Sequence, residues 1–98
     1  MSETMTGRED RADSKKIELW IRYFAAARDK VGCSDELLTF DHSVSLKELR
    51  EFLVEKHVEL ASIVPFLRWA VNQCFVDDDQ LSLINGDEIA LIPPISGG

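Results

Sequence analysis

Asn85-Gly86-Asp87-Glu88-Ile89-Ala90-Leu91-Ile92-Pro93-Pro94-Ile95-Ser96-Gly97-Gly98 closes this 98-residue chain. Asn85-Gly86 is a turn dipeptide whose residues tolerate positive φ. Glu88 to Ile92 then reads as a strand with Ile89 and Leu91 toward a core, which leaves Ile92 out of phase. Pro93 and Pro94 have no backbone N–H, so a sheet ladder has to stop there. They favour the stiff polyproline II form and so project the last four residues away from the body. Gly97 and Gly98 carry no side chains, and a thread ending this way fits a channel too narrow for any Cβ.

Upstream, Ile17 to Phe24 alternates as a strand, with Ile17, Leu19, Ile21 and Tyr23 on one face. Glu18, Trp20, Arg22 and Phe24 fall on the other, which puts two large aromatics on a nominally wet side. Ala25 to Val31 is a short helix ending at Gly32, and Asp35 to Phe40 is a second strand. Ser45-Leu46-Lys47-Glu48 is a capping box, followed by Leu46, Leu49, Phe52 and Leu53 at helical spacing. Lys47, Glu48, Arg50 and Glu51 form the solvated side of this main helix, which runs to about His57. A helical turn around Leu60 to Val64 is expected to stop at Pro65. Leu67, Trp69 and Val71 alternate again, Asn72-Gln73 bends the chain, and Cys74-Phe75-Val76 continues extended. This order implies an α+β domain: one main helix across a mixed sheet of four or five strands, an arrangement the β-grasp fold satisfies.

Residues 1–15 are polar and of mixed charge, and are expected to be a flexible tail. Residues 16–94 would form the domain and residues 95–98 a mobile tail. A chain this size buries roughly 60–65% of its unfolded surface, enough for one modest core and no large cavity. The net charge of −7 repels a phosphate backbone and argues against nucleic acid. No apolar run approaches membrane-spanning length, and the N-terminus lacks the apolar stretch of a signal peptide. Cys33 and Cys74 make neither a CxxC nor a Cys/His cluster, so no metal site is expected. Both read as reduced, partly buried thiols of a cytoplasmic protein.

A terminal carboxylate is ionised at neutral pH and is a poor electrophile. Activation by ATP makes it an acyl-adenylate, and a sulfur donor then converts that to a thiocarboxylate. The thiocarboxylate is a softer and better nucleophile. This chemistry needs the chain to end at Gly98. Two closing glycines alone are a weak signal, whereas the whole stretch 85–98 is much more specific.

That stretch resembles the ending of the molybdopterin synthase small subunits, a family of ubiquitin-like sulfur carriers. Tyr23-Phe24-Ala25 with Arg28 and Val31-Gly32, Leu49-Arg50, and Ala70-Val71-Asn72-Gln73 extend the likeness over about residues 17–98. The resemblance implies a β-grasp fold. It also implies adenylation of Gly98 by an activating enzyme akin to those that activate ubiquitin, with Gly97 helping the tail to thread. The resulting thiocarboxylate would supply sulfur to cyclic pyranopterin monophosphate during molybdenum cofactor biosynthesis. The chain would not be an enzyme on its own, since the large subunit would hold the pterin and the catalytic groups, two copies of each forming a heterotetramer. No cofactor would be bound stably; ATP would serve the activating enzyme. The family's docking positions map onto Phe24, Phe75 and Ile92, and a family arginine near the activating-enzyme contact maps onto Arg28. Exposed, clustered apolar side chains are what a partner site requires.

Other readings stay open. A carrier for thiamine or transfer-RNA thiolation would share Gly-Gly but in general lack the Pro-Pro ending. A ubiquitin-like modifier would form amide-linked conjugates, and a plain interaction module would not need Gly97 and Gly98. His42 and His57 read as solvated side chains and Asp77-Asp78-Asp79 as a solvated turn, since the spacing lacks the alternating donors of a calcium loop. Trp20 and Trp69 read as packing residues, with Trp20 alternatively at the rim of a docking face.

Overall fold

The computed structural model describes residues 16–94; the expected N-terminal arm (1–15) and glycine tail (95–98) lie outside the described residues. β1 (Ile17–Tyr23) alternates strictly, burying Ile17, Leu19, Ile21 and Tyr23 and exposing the residues between them. It runs antiparallel to β2 (Asp35–Phe40), with Ile17 opposite Phe40 and Arg22 opposite Asp35. The short helix α1 (Ala25–Val31) connects them and ends at Gly32, whose φ of 93° suits a residue without a Cβ. The Gly32 N–H closes the last turn on the Arg28 carbonyl at 2.8 Å.

β3 (Val44–Ser45) leads directly into α2 (Leu46–Lys56). The capping box forms in full. Ser45 Oγ accepts from the Glu48 N–H at 3.1 Å, and Glu48 Oε1 accepts from the Ser45 N–H at 2.9 Å. The Leu46 and Lys47 N–H groups donate to the carbonyls of Leu81 and Asp79. The orphan donors of the first turn are thus met by a cap and a crossing loop. Leu46, Leu49 and Leu53 are buried on one side of α2, each contributing about 2 kcal/mol through burial.

Two 3-10 turns, Val58–Ser62 and Val64–Phe66, lead to β4 (Arg68–Val71) and β5 (Cys74–Val76). Asn72 and Gln73 join these strands at φ 51° and 74°, a two-residue turn of the primed kind that matches strand twist. β6 (Ser82–Leu83) pairs with β3 in a small separate sheet. β7 (Glu88–Ile92) closes the fold. The main sheet has the order β2-β1-β7-β4-β5, with β7 parallel to β1 and antiparallel to β4. The last strand of the sequence is therefore the middle strand of the sheet. One sheet face packs on α2 through Leu19, Ile21, Trp69, Ile89, Leu91 and their neighbours. The other carries Trp20, Phe24, Leu37 and Phe75, all exposed.

Several expectations need correction. Pro65 does not stop a helical turn but lies at the start of the second 3-10 turn, where its missing N–H costs no bond. Phe52 leaves the buried stripe of α2 and packs edge-on against Phe40, ring centroids 5.0 Å apart, where α2 overhangs the outer strand. Arg50 is half-buried rather than free in solvent: its guanidinium holds Asp79 at 2.8 Å, so the aspartate turn is tied to α2. His57 is half-buried against Glu36 rather than free in solvent. Both cysteines are exposed, Cys33 in a turn and Cys74 on an edge strand, where less chain covers them. The pairing of β3 with β6 has no counterpart in the sequence pattern, since two-residue strands show no periodicity.

Candidate functional site

The exposed sheet face holds a groove of about 270 Å³. Its floor is Ala70 and Ala90, directly opposite each other on β4 and β7. Small side chains there leave a depression that larger neighbours wall in. Phe24 and Ile92 stand at one end, Phe75 at the side, and Arg22, Glu88 and Gln73 toward the other end. Arg22 Nη1 lies 2.8 Å from Glu88 Oε2. The same guanidinium sits 5.7 Å from the Phe24 ring centroid, and that of Arg68 lies 3.9 Å over the Phe75 ring. These cation–π contacts steady two aromatic walls that are 41% and 54% exposed.

The groove is held from behind by backbone bonds. The Phe24 N–H donates to the Leu91 carbonyl at 3.2 Å, and the Phe24 carbonyl accepts from the Ala27 N–H at 3.0 Å. Phe24 is thereby fixed where β1 turns into α1, with Ala25 at φ 48°. At the opposite end, Asn72 grips the start of β7. Its Oδ1 accepts from the Glu88 N–H at 2.9 Å, and its Nδ2 donates to Asp87 Oδ1 at 2.9 Å. Asp87 Oδ2 in turn accepts from the Ile84 N–H at 2.9 Å, and the Asn72 N–H reaches the Glu88 carbonyl at 2.7 Å. Gly86 stands in this turn at φ 91° and donates to the Glu18 carbonyl. The Asn72 and Asp87 motifs of the sequence are thus two halves of one clamp.

Three of the sequence-derived docking residues, Phe24, Phe75 and Ile92, line this one groove. Arg28 does not; it is exposed on α1, which begins just beyond Phe24. Gly97 and Gly98 lie outside the described residues. β7 leaves the sheet at Ile92 and continues into Pro93-Pro94 at the Phe24 end of the groove. Trp69 is buried as expected, whereas Trp20 lies on the groove's face paired with Leu37. Sequence reasoning missed Arg22, Ala70, Gln73, Glu88 and Ala90 as groove residues. The period-2 phase shared by Glu88, Ala90 and Ile92 was the signal available.

A second cluster sits behind β1. Tyr23 Oη donates to Glu36 Oε1 at 2.8 Å, and His57 Nε2 lies 2.9 Å from the same oxygen. Lys56 Nζ is 3.4 Å from Glu36 Oε2. Burial raises the Glu36 pKa, but hydrogen bonds from His57 and Tyr23 outweigh it and hold the carboxyl below its usual range. Burial pushes the Tyr23 phenol well above its ordinary value, helped by its bond to Glu36. This cluster joins β1, β2 and the end of α2. Among the described residues, no group of three or more His, Cys, Asp or Glu could hold a metal ion. No helix among them is long and apolar enough to cross a membrane.

A helix packed on a mixed sheet whose last strand is central, with an apolar groove on the open face, defines a ubiquitin-like β-grasp protein. Residues 21–98 match the model of the ThiS family, and the chain belongs to that family. It is 35% identical over 80 residues to a molybdopterin synthase sulfur carrier subunit from Homo sapiens, covering 80% of this chain and 91% of that one. A protein of the same name from Chlamydomonas reinhardtii is 30% identical over 83 residues, 84% of this chain and 100% of that one. Among solved structures, a chain from the protein–protein complex of subunits 1 and 2 of molybdopterin-converting factor from Helicobacter pylori superposes with a TM-score of 0.65. It is 28% identical and covers 84% of this chain and 100% of that one.

Proposed function

We propose that this chain is the sulfur-carrier subunit of a molybdopterin synthase and that Gly98 carries the sulfur. The Gly98 carboxylate attacks the α-phosphate of ATP on an activating adenylyltransferase, giving an acyl-adenylate and pyrophosphate. A sulfur donor displaces AMP and leaves a thiocarboxylate. That sulfur passes to cyclic pyranopterin monophosphate on the large subunit, and water returns the carrier to its carboxylate. The large subunit supplies the catalytic groups, two of each chain assemble as a heterotetramer, and the complex works in the cytoplasm. The carrier holds no stable cofactor, and Arg28 meets the activating enzyme.

One observation carries this reading: the apolar groove of Phe24, Phe75 and Ile92 opens beside the strand that runs into Pro93-Pro94. A partner seated in that groove receives the chain end beyond the prolines without a long search, which keeps a reactive sulfur from diffusing away. Family membership and the shared names of its relatives support the same reading. Intact-mass measurement of protein isolated from cells tests it. An oxygen-to-sulfur exchange localised to Gly98 is expected, together with rescue of a strain lacking its own small subunit. Folded protein that neither carries the exchange nor rescues the strain would overturn it, as would full rescue by a chain with one alanine appended after Gly98.

A further inference from the structure

Among the described residues, three that are not glycine have left-handed backbone: Ala25 at φ 48°, Asn72 at 51° and Gln73 at 74°. Of these, Gln73 lines the docking groove; Ala25 follows Phe24 in the chain at one end, and Asn72 precedes Gln73 at the opposite end. Ala25 is explained by the sharp passage from β1 into α1 that holds Phe24. Asn72 tolerates this conformation and is further held by the clamp to Asp87 and Glu88. Gln73 has neither excuse. The second position of such a turn favours glycine, because a Cβ meets the following carbonyl there. Among the described residues, the Gln73 carboxamide makes no hydrogen bond within the chain, yet its side chain lines the groove. A strained residue whose side chain does nothing for its own fold points to a use outside it.

Resting on the functional reading above, we infer that Gln73 is a specificity-determining residue of the docking groove, its carboxamide pairing with a backbone peptide group of the large subunit. The chemistry of the groove's polar end selects that occupant. Glu88 is already neutralised by Arg22 at 2.8 Å, so that end offers no net charge to a charged ligand. A carboxamide presents one acceptor and two donors, the complement of a peptide C=O and N–H. The apolar walls bury surface without fixing direction. A directional bond at the far end, opposite Phe24 and Ile92, sets the register along the groove.

The test compares the full-length chain with Gln73→Gly and Gln73→Asn, by titration against the large subunit and by thermal unfolding of each variant alone. Gln73→Gly relieves the backbone and removes the carboxamide. Its melting temperature should equal or exceed that of the parent, while its Kd weakens about tenfold, the loss of ~1.4 kcal/mol. Gln73→Asn keeps an amide and a tolerated backbone but shortens the reach, and should bind as weakly as the glycine variant. Parent-like affinity in Gln73→Gly overturns the inference, as does a melting temperature that falls along with affinity, which marks a purely structural role. Failure of the parent itself to bind the large subunit removes the functional reading and this inference with it, and is a separate outcome.

Discussion

Glu36 shows how much one side chain gathers. It accepts from Tyr23, faces His57 and Lys56, and joins two strands to the end of the main helix. Its folded pKa is below the ordinary value of about 4.5. The stability it contributes is therefore complete above that value and is lost as pH falls through the lower, folded pKa. Tyr23 behaves oppositely. Its pKa is raised, so its contribution is complete below about pH 10 and is lost as pH rises beyond that. Glu36→Gln should flatten the acid limb of the stability profile, and Tyr23→Phe the alkaline limb. Urea unfolding across pH checks both, and an acid limb unchanged in Glu36→Gln would refute the assignment. None of this was visible in the sequence. Tyr23 was legible as a core residue from its phase in β1, but its partners lie 13 and 34 positions away, and no local pattern joins them.

At the scale of elements, the junctions carry more than the elements themselves. α2 was legible because the capping box and its leucines are local signals, and both appear as read. The clamp of Asn72 and Asp87 is different: it ties the β4–β5 turn to the start of β7 and to the turn before it. In the sequence, the dipeptides at residues 72–73 and 85–86 are two separate bends, and their meeting depends on β4 and β7 being neighbours. Asp87 is 8% exposed, and its removal takes the charged acceptor from two part-buried hydrogen bonds, those from the Asn72 carboxamide and the Ile84 N–H. Asp87→Ala should cost about 2–3 kcal/mol in urea unfolding. A cost below about 0.5 kcal/mol would show that the clamp is incidental.

For the molecule as a whole, the decisive fact is that β7 is central and the opposite sheet face is left open. Phe24→Asp and Ile92→Asp should each weaken binding to the large subunit by about 2 kcal/mol or more, since central apolar contacts dominate interfaces. The same changes should alter unfolding free energy by under about 1 kcal/mol, because neither side chain belongs to the buried core. Calorimetric titration beside chemical unfolding separates the two. Affinity unchanged by either substitution would move the interface elsewhere. Determined by the sequence alone were the strand faces, the cap of α2, the turns at glycine and asparagine, and the out-of-phase Phe24 and Ile92. Each of these is a short-range consequence of backbone geometry, of period 2 or 3.6, or of missing donors and side chains. Only the tertiary structure decided that Phe24, Phe75 and Ile92 share one groove, that Arg28 stands apart from it, and that Gln73 bears unrelieved strain beside it. Those facts depend on strand order and register, which arise from contacts between residues distant in the chain and leave no periodic trace within any one segment.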